Sequence, residues 1–139
     1  LIAPALNIAI AQRLIGLLCP DCKKKVQADK NAQKIIMKEI ESLPESMKNK
    51  IKIPSPLTIY QVQGCKRCNS RGFVGRIGVF EILVMTDSLA KIISREPEES
   101  KISEEAVRQG MITMRQDGIL KVLDGVTTLE EVLRVAEEK

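Results

Sequence analysis

Residues 64–84 read GCKRCNSRGFVGRIGVFEILV, and the opening of that stretch sets the reading of everything around it. Cys65 and Cys68 stand two residues apart, a spacing that lets one tight turn aim both sulfurs at a point about 2.3 Å from a Zn²⁺ ion. CPDC at residues 19–22 repeats the spacing with Cys19 and Cys22, so all 4 cysteines of the chain fall into two C-x-x-C pairs. Two such turns make a tetrahedral site. Pro20 stiffens the first turn, and Gly64 frees the backbone that enters the second. Four protein ligands leave no open position for water or substrate, so a site of this kind is structural.

Other uses of the cysteines fit less well. Disulfides need an oxidising compartment, and nothing in the chain suggests export. A thioredoxin-like redox site uses one C-x-x-C, and unrelated thiols have no reason to fall into matched pairs. The basic neighbours Lys23, Lys66 and Arg67 suit four thiolates around Zn²⁺, which carry a net charge near −2. Residues 23–64 separate the pairs, more than the ~15–20 residues usual in a zinc ribbon. The helix between them must therefore be an insertion whose ends return to the metal.

Downstream of the second pair, Gly72, Gly75 and Gly78 space a stretch that leads into a strand over residues 78–84. Thr86 and Asp87 offer an N-cap for a helix to about Ser94. A second helix is expected from Ser103, with Glu104 and Glu105 in its first turn, as far as Gly110. A third runs from about Thr113 to Asp124 and stops at Gly125. The last starts at Thr127 with Glu130 as its capping-box partner, and Leu129, Val132, Leu133 and Ala136 follow helical spacing. Between the cysteine pairs, the charged run KKKVQADKNAQ leads to an amphipathic helix over about residues 33–42 that Pro44 ends. LTIYQV at 57–62 reads as a short strand. Residues 1–18 read as a buried helix, apolar on most faces, with Pro4 tolerated in its first turn. That run lacks a basic segment before it and is broken by Asn7, Gln12 and Arg13, so it suits neither a signal peptide nor a transmembrane span.

The composition narrows function. Apolar residues are 44% of the 139 and aromatics only 2%, so the core is aliphatic and platforms for stacking bases are scarce. The net charge of +4 is mild, with Lys23, Lys24, Lys25, Lys66, Arg67, Arg71 and Arg76 gathered around the cysteines. No nucleic-acid partner is expected from it. Histidine is absent, which removes Ser-His-Asp and Cys-His catalysis and any imidazole ligand or base.

AQRLIGLLCPDCK, then GCKRCNSRGFVGRIGVFEIL, then GMITMRQDGILKVLDGVTTLEEVLRV together resemble, in that order, the C-terminal part of the GspE/PilB-type ATPases of type II secretion and type IV pilus assembly. The resemblance spans nearly the whole chain apart from an insert at about residues 23–56. It implies an α+β, mostly helical fold: the end of a RecA-like ATPase domain with a four-cysteine zinc knuckle, short strands and a terminal helical bundle. On this reading residues 1–18 end the ATPase core. Residues 19–75 form the zinc-binding subdomain with a helical insert at 30–56, and residues 76–139 add a strand and a helical subdomain. Structural Zn²⁺ would sit on Cys19, Cys22, Cys65 and Cys68. Arg76, in the family's G-R-x-G motif, would lie near the adenine end of a nucleotide. From the residues alone, Arg76 reads equally as an exposed strand-edge charge or as a partner of Glu81.

The resemblance further implies a parent that is a hexameric cytoplasmic ATPase, peripheral to the inner membrane. Its partners would be its own N-terminal ATPase half, neighbouring subunits and an inner-membrane platform protein. ATP and Mg²⁺ belong to that parent, because this chain has no G-x-x-x-x-G-K-[ST] run. The chain alone is therefore expected not to hydrolyse ATP, and no catalytic residue is assigned within it. The alternative is a stand-alone zinc-ribbon adaptor for protein or nucleic acid.

Overall fold

A computed structural model describes residues 7–95 and 97–136. The first described element corrects the expectation for residues 1–18. Ile8–Leu18 is a β-strand (β1), not a helix, and most of it is exposed rather than buried. The chain's first residues, including Pro4, lie outside the described residues. Ile8, Ile10 and Leu14 fall on one side of an alternating pattern and Ile15 on the other, which a strand uses as readily as a helix. What decides between them is distant in sequence. A long strand, Phe73–Val84, pairs antiparallel along almost all of β1, from Ile8↔Val84 to Gly16↔Arg76.

After β1 the chain makes the Cys19–Cys22 turn and enters β2 (Lys24–Gln27), inside the run read as a charged approach to a helix. Helix α1 (Lys30–Glu41) follows, capped by Asp29, whose carboxylate accepts the Ala32 N–H at 2.8 Å. It buries Ala32, Ile36 and Ile40. The helix closes at Ser42, and Pro44 instead opens a single turn, α2 (Glu45–Lys48). Strand β3 (Thr58–Gln61) then pairs antiparallel with β2, Lys24↔Gln61 through Gln27↔Thr58. This ribbon answers the long spacing between the cysteine pairs. It starts two residues after Cys22 and ends four before Cys65, so the insert leaves from and returns to one place.

Strand β4 (Phe73–Val84) begins earlier than the sequence suggested, because β1 supplies a partner for its whole length. Helix α3 (Asp87–Arg95) is capped by Thr86, whose hydroxyl accepts the Leu89 N–H. Helix α4 (Glu99–Arg108) starts four residues before the expected Ser103, just after Pro97. Glu105 thus falls in its last turn, not its first, beside Arg108 at 2.8 Å. Helix α5 (Met114–Leu123) carries a full capping box, Thr113 with Gln116. Helix α6 (Leu129–Val135) is capped by Thr128, whose hydroxyl accepts the Glu131 N–H at 3.2 Å, one residue later than the Thr127–Glu130 box expected.

One aliphatic core joins the two ribbons to α1, α5 and α6. Ile15 and Val79 from the long ribbon meet Ile36 and Ile40 of α1, Ile119 and Val122 of α5, and Leu129 and Val132 of α6. Arg115 of α5 adds a partly buried ion pair to Glu39 of α1, 3.2 Å away though not aligned as a hydrogen bond. On the ribbon's other face Ile8, Ile10, Leu14, Phe80, Ile82 and Val84 stand 39–59% exposed. Its two margins also differ. The free side of β4 is covered, since Asp117 accepts the Phe80 N–H and Gln109 bonds both polar groups of the Val84 backbone. Along β1, no side chain of the described residues bonds the backbone of Ile8, Ile10, Gln12 or Leu14.

The Glu105–Arg108 pair makes a prediction about acid. The Arg108 guanidinium holds the Glu105 carboxyl below its ordinary 4.5, against the opposing pull of burial. A depressed carboxyl stabilises the fold fully above the unfolded value and loses that contribution as pH falls through the folded one. Glu105→Gln is expected to make thermal stability less steep in pH below about 4.5, checked by melting curves from pH 7 to 3. Parallel pH profiles for both proteins would contradict the pairing.

Candidate metal centre

The four cysteines come together. Their sulfurs all lie within 4.8 Å of one another. Cys19 Sγ is 3.7 Å from Cys65 Sγ, Cys22 Sγ is 3.8 Å from Cys68 Sγ, and Cys65 and Cys68 are 3.8 Å apart. A tetrahedron with metal–sulfur bonds of about 2.3 Å has edges of ~3.8 Å. The same spacing is nearly twice a disulfide bond of ~2.05 Å. All four thiols are free, and Cys19, Cys22 and Cys68 are buried. The donor set and its shape fit a closed tetrathiolate metal site.

Each sulfur is set by its local backbone. Gly64 turns with φ +98, a conformation costly for other residues, and delivers the chain to Cys65. The second turn closes with the Ser70 N–H on the Cys65 carbonyl at 2.9 Å. Two backbone N–H groups point at Cys68 Sγ, from Cys65 at 3.2 Å and Gly72 at 3.3 Å. Burial pushes the Cys68 thiol up, but these donors, with the Cys65 and Cys22 thiols, outweigh it and bring Cys68 down to about 6. Burial also pushes Cys22 up, eased by the Gly64 N–H and reinforced by the thiols of Cys65, Cys19 and Cys68, to about 12. The surroundings thus favour the thiolate at Cys68 and the thiol at Cys22. A divalent ion held by cysteines binds them as thiolates.

The two turns are also joined directly. The Cys19 N–H donates to the Gly72 carbonyl at 2.9 Å. Arg67 reaches Asp21 at 2.9 Å across the surface, so its charge is matched by a carboxylate. Lys23 turns elsewhere: its ammonium donates to the Gly125 carbonyl at 2.9 Å and sits 4.4 Å over the Tyr60 ring. The links from this turn to residues 125–131 were not foreseen. The adjacent threonines 127 and 128 were the available signal, since only one of them can cap α6.

Arg76 lies apart from the cysteines' ligand set, exposed on β4 opposite Gly16. Five positions separate it from Glu81, which puts the two on opposite faces of the strand. Glu81 instead accepts the Met114 N–H at 3.0 Å. The Arg76–Glu81 pair is thereby removed, and Arg76 stands at the end of the ribbon face that carries the exposed aliphatic side chains.

Comparison with known proteins follows the same lines. The chain is 38% identical to the type II secretion system ATPase E of Vibrio cholerae, over 99% of this chain and 25% of that protein. It is 33% identical to the type IV pilus assembly ATPase PilB of Myxococcus xanthus, over 96% of this chain and 22% of that protein. The PilB of Pseudomonas aeruginosa is 34% identical over 99% and 22%. The chain thus spans about a quarter of the length of these curated relatives. With residues 1–134 also matching the family model described as type II/IV secretion system protein, the chain belongs to that family.

Proposed function

We propose that this chain is the zinc-braced C-terminal portion of an ATPase that powers type II secretion or type IV pilus assembly. The observation that carries the reading is the sulfur tetrahedron, whose edges suit Zn²⁺ with no ligand position left over. Cys19, Cys22, Cys65 and Cys68 would hold the ion, and its contribution is to folding, not to catalysis. Hydrolysis belongs to a P-loop that this chain does not contain, in a hexameric cytoplasmic protein bound to an inner-membrane platform. Among the described residues no helix is long and apolar enough to cross a membrane.

The exposed apolar face of the long ribbon supports a body packed against a further layer. Ile8, Ile10, Leu14, Phe80, Ile82 and Val84 form one exposed apolar row, the kind of surface that a second layer covers. Arg76 borders that row, where it would meet the base of a nucleotide held by the rest of the ATPase. An adaptor for nucleic acid would instead present its basic residues unpaired around the metal, and here Arg67 and Lys23 are engaged within the chain.

The purified chain is expected to contain one zinc ion per polypeptide by elemental analysis and to release no phosphate from Mg-ATP above blank. Absence of bound metal would sink the reading. In a complete ATPase carrying this segment, Arg76→Ala is expected to weaken nucleotide binding roughly tenfold, about 1.4 kcal/mol, with zinc content unchanged. Equal nucleotide affinity in both proteins would return Arg76 to a surface charge.

A further inference from the structure

We propose that Lys23, Thr127 and Glu131 are positioning residues for the metal centre, so that the C-terminal tail sets how tightly the cysteine tetrad holds its ion. The inference rests on the reading that the tetrad binds metal. Beyond that it concerns residues that hold no ligand themselves.

The geometry is a grip on both ends of the Cys19–Cys22 turn. Before the turn, β1 shifts register between Gly16 and Leu18 and hands its backbone to the tail. The Gly16 N–H donates to Glu131 Oε2 at 2.6 Å, and the Gly16 carbonyl accepts from Thr127 Oγ1 at 2.8 Å. The Leu18 N–H then donates to the Val126 carbonyl at 2.8 Å. After the turn, Lys23 donates to the Gly125 carbonyl at 2.9 Å. Every acceptor or donor on the far side comes from residues 125–131, the α5–α6 junction. Thr127 is fully buried, and Arg134 keeps the Glu131 carboxylate ionised.

Such a grip matters because a tetrahedral site tolerates little play. Ligand atoms must be held to about half an ångström, and partners one step removed from a metal commonly change its affinity by about 10–100-fold. Linkage makes the effect mutual: if the tail tightens metal binding, bound metal steadies the tail by the same factor. Releasing zinc should therefore loosen α6 more than α3, which none of these bonds reaches.

The test is competition between the full chain and a chromophoric chelator for Zn²⁺, with hydrogen exchange read in parallel over α3 and α6. Thr127→Val and Lys23→Met are each expected to give up zinc about 10–100-fold more readily, whereas Thr127→Ser, which keeps the hydroxyl, stays near the parent. Leu89→Ala in α3, which none of these bonds reaches, serves as control: it lowers melting temperature by emptying a buried position and leaves zinc affinity in place. Should Thr127→Val fail to fold, Lys23→Met carries the test, since that side chain is only partly buried. Zinc affinity unchanged in Lys23→Met, or lowered equally in Leu89→Ala, overturns the inference while leaving the metal site standing. A parent chain that binds no zinc overturns both.

Discussion

Cys65→Ser is expected to empty the metal centre and to unfold the two turns that it joins. On the proposed reading the cysteines hold zinc, and the binding free energy of such a site, about 10–16 kcal/mol in small modules at neutral pH, is at the same time folding free energy. Ordinary domains are stable by only ~5–15 kcal/mol in all. A serine hydroxyl does not ionise at neutral pH and leaves three thiolates with one weak neighbour. Cys65 is also the partly exposed member of the set, so the substitution adds little packing loss of its own. The expected readings are zinc content near zero and a melting transition lowered as far as a chelator lowers that of the parent. One full equivalent of tightly bound zinc in the serine protein would refute the site.

The second large effect is expected from Gly72→Ala, which changes no ligand. Gly72 has φ +85, where a side chain costs about 1–2 kcal/mol. An added Cβ would also stand 2.6 Å from Val62 Cβ and 2.7 Å from its Cγ1. Overpacking of that kind costs ~1–3 kcal/mol, so the total is roughly 2–5 kcal/mol. The same residue donates its N–H to Cys68 Sγ and accepts the Cys19 N–H, one bond to each cysteine pair. Strain relieved by moving Gly72 therefore moves both turns. Denaturant melts should show the loss, and chelator competition should show weakened zinc. A destabilisation under ~0.5 kcal/mol, typical of an indifferent surface site, would mean that the backbone here has room to spare.

What could be read before any coordinates is what short-range chemistry decides. The C-x-x-C turns are local, so Cys19, Cys22, Cys65 and Cys68 were legible as a set. The ends of α5 were legible too, since Thr113 and Gln116 need only each other to form a box. Strand β1 was not, because nothing inside LIAPALNIAIAQRLIGLL separates a buried helix from a strand. Its partner arrives some sixty residues later, and pairing with β4 overrides local preference. Strand β2 was missed for the same reason: KKVQ extends because β3 lies beside it. The start of α6 slipped by one residue because Thr127 is drawn to the Gly16 carbonyl, which leaves Thr128 to cap the helix. That contact is the same one that joins the tail to the metal turn.

The unequal margins of the long ribbon restrict how the molecule can be extended. Among the described residues, Asp117 and Gln109 bond the free side of β4 at Phe80 and Val84, whereas no side chain bonds the matching side of β1 at Ile8–Leu14. A strand added to this sheet therefore has its easier seat next to β1, with the Cys19–Cys22 turn at one end of the seam.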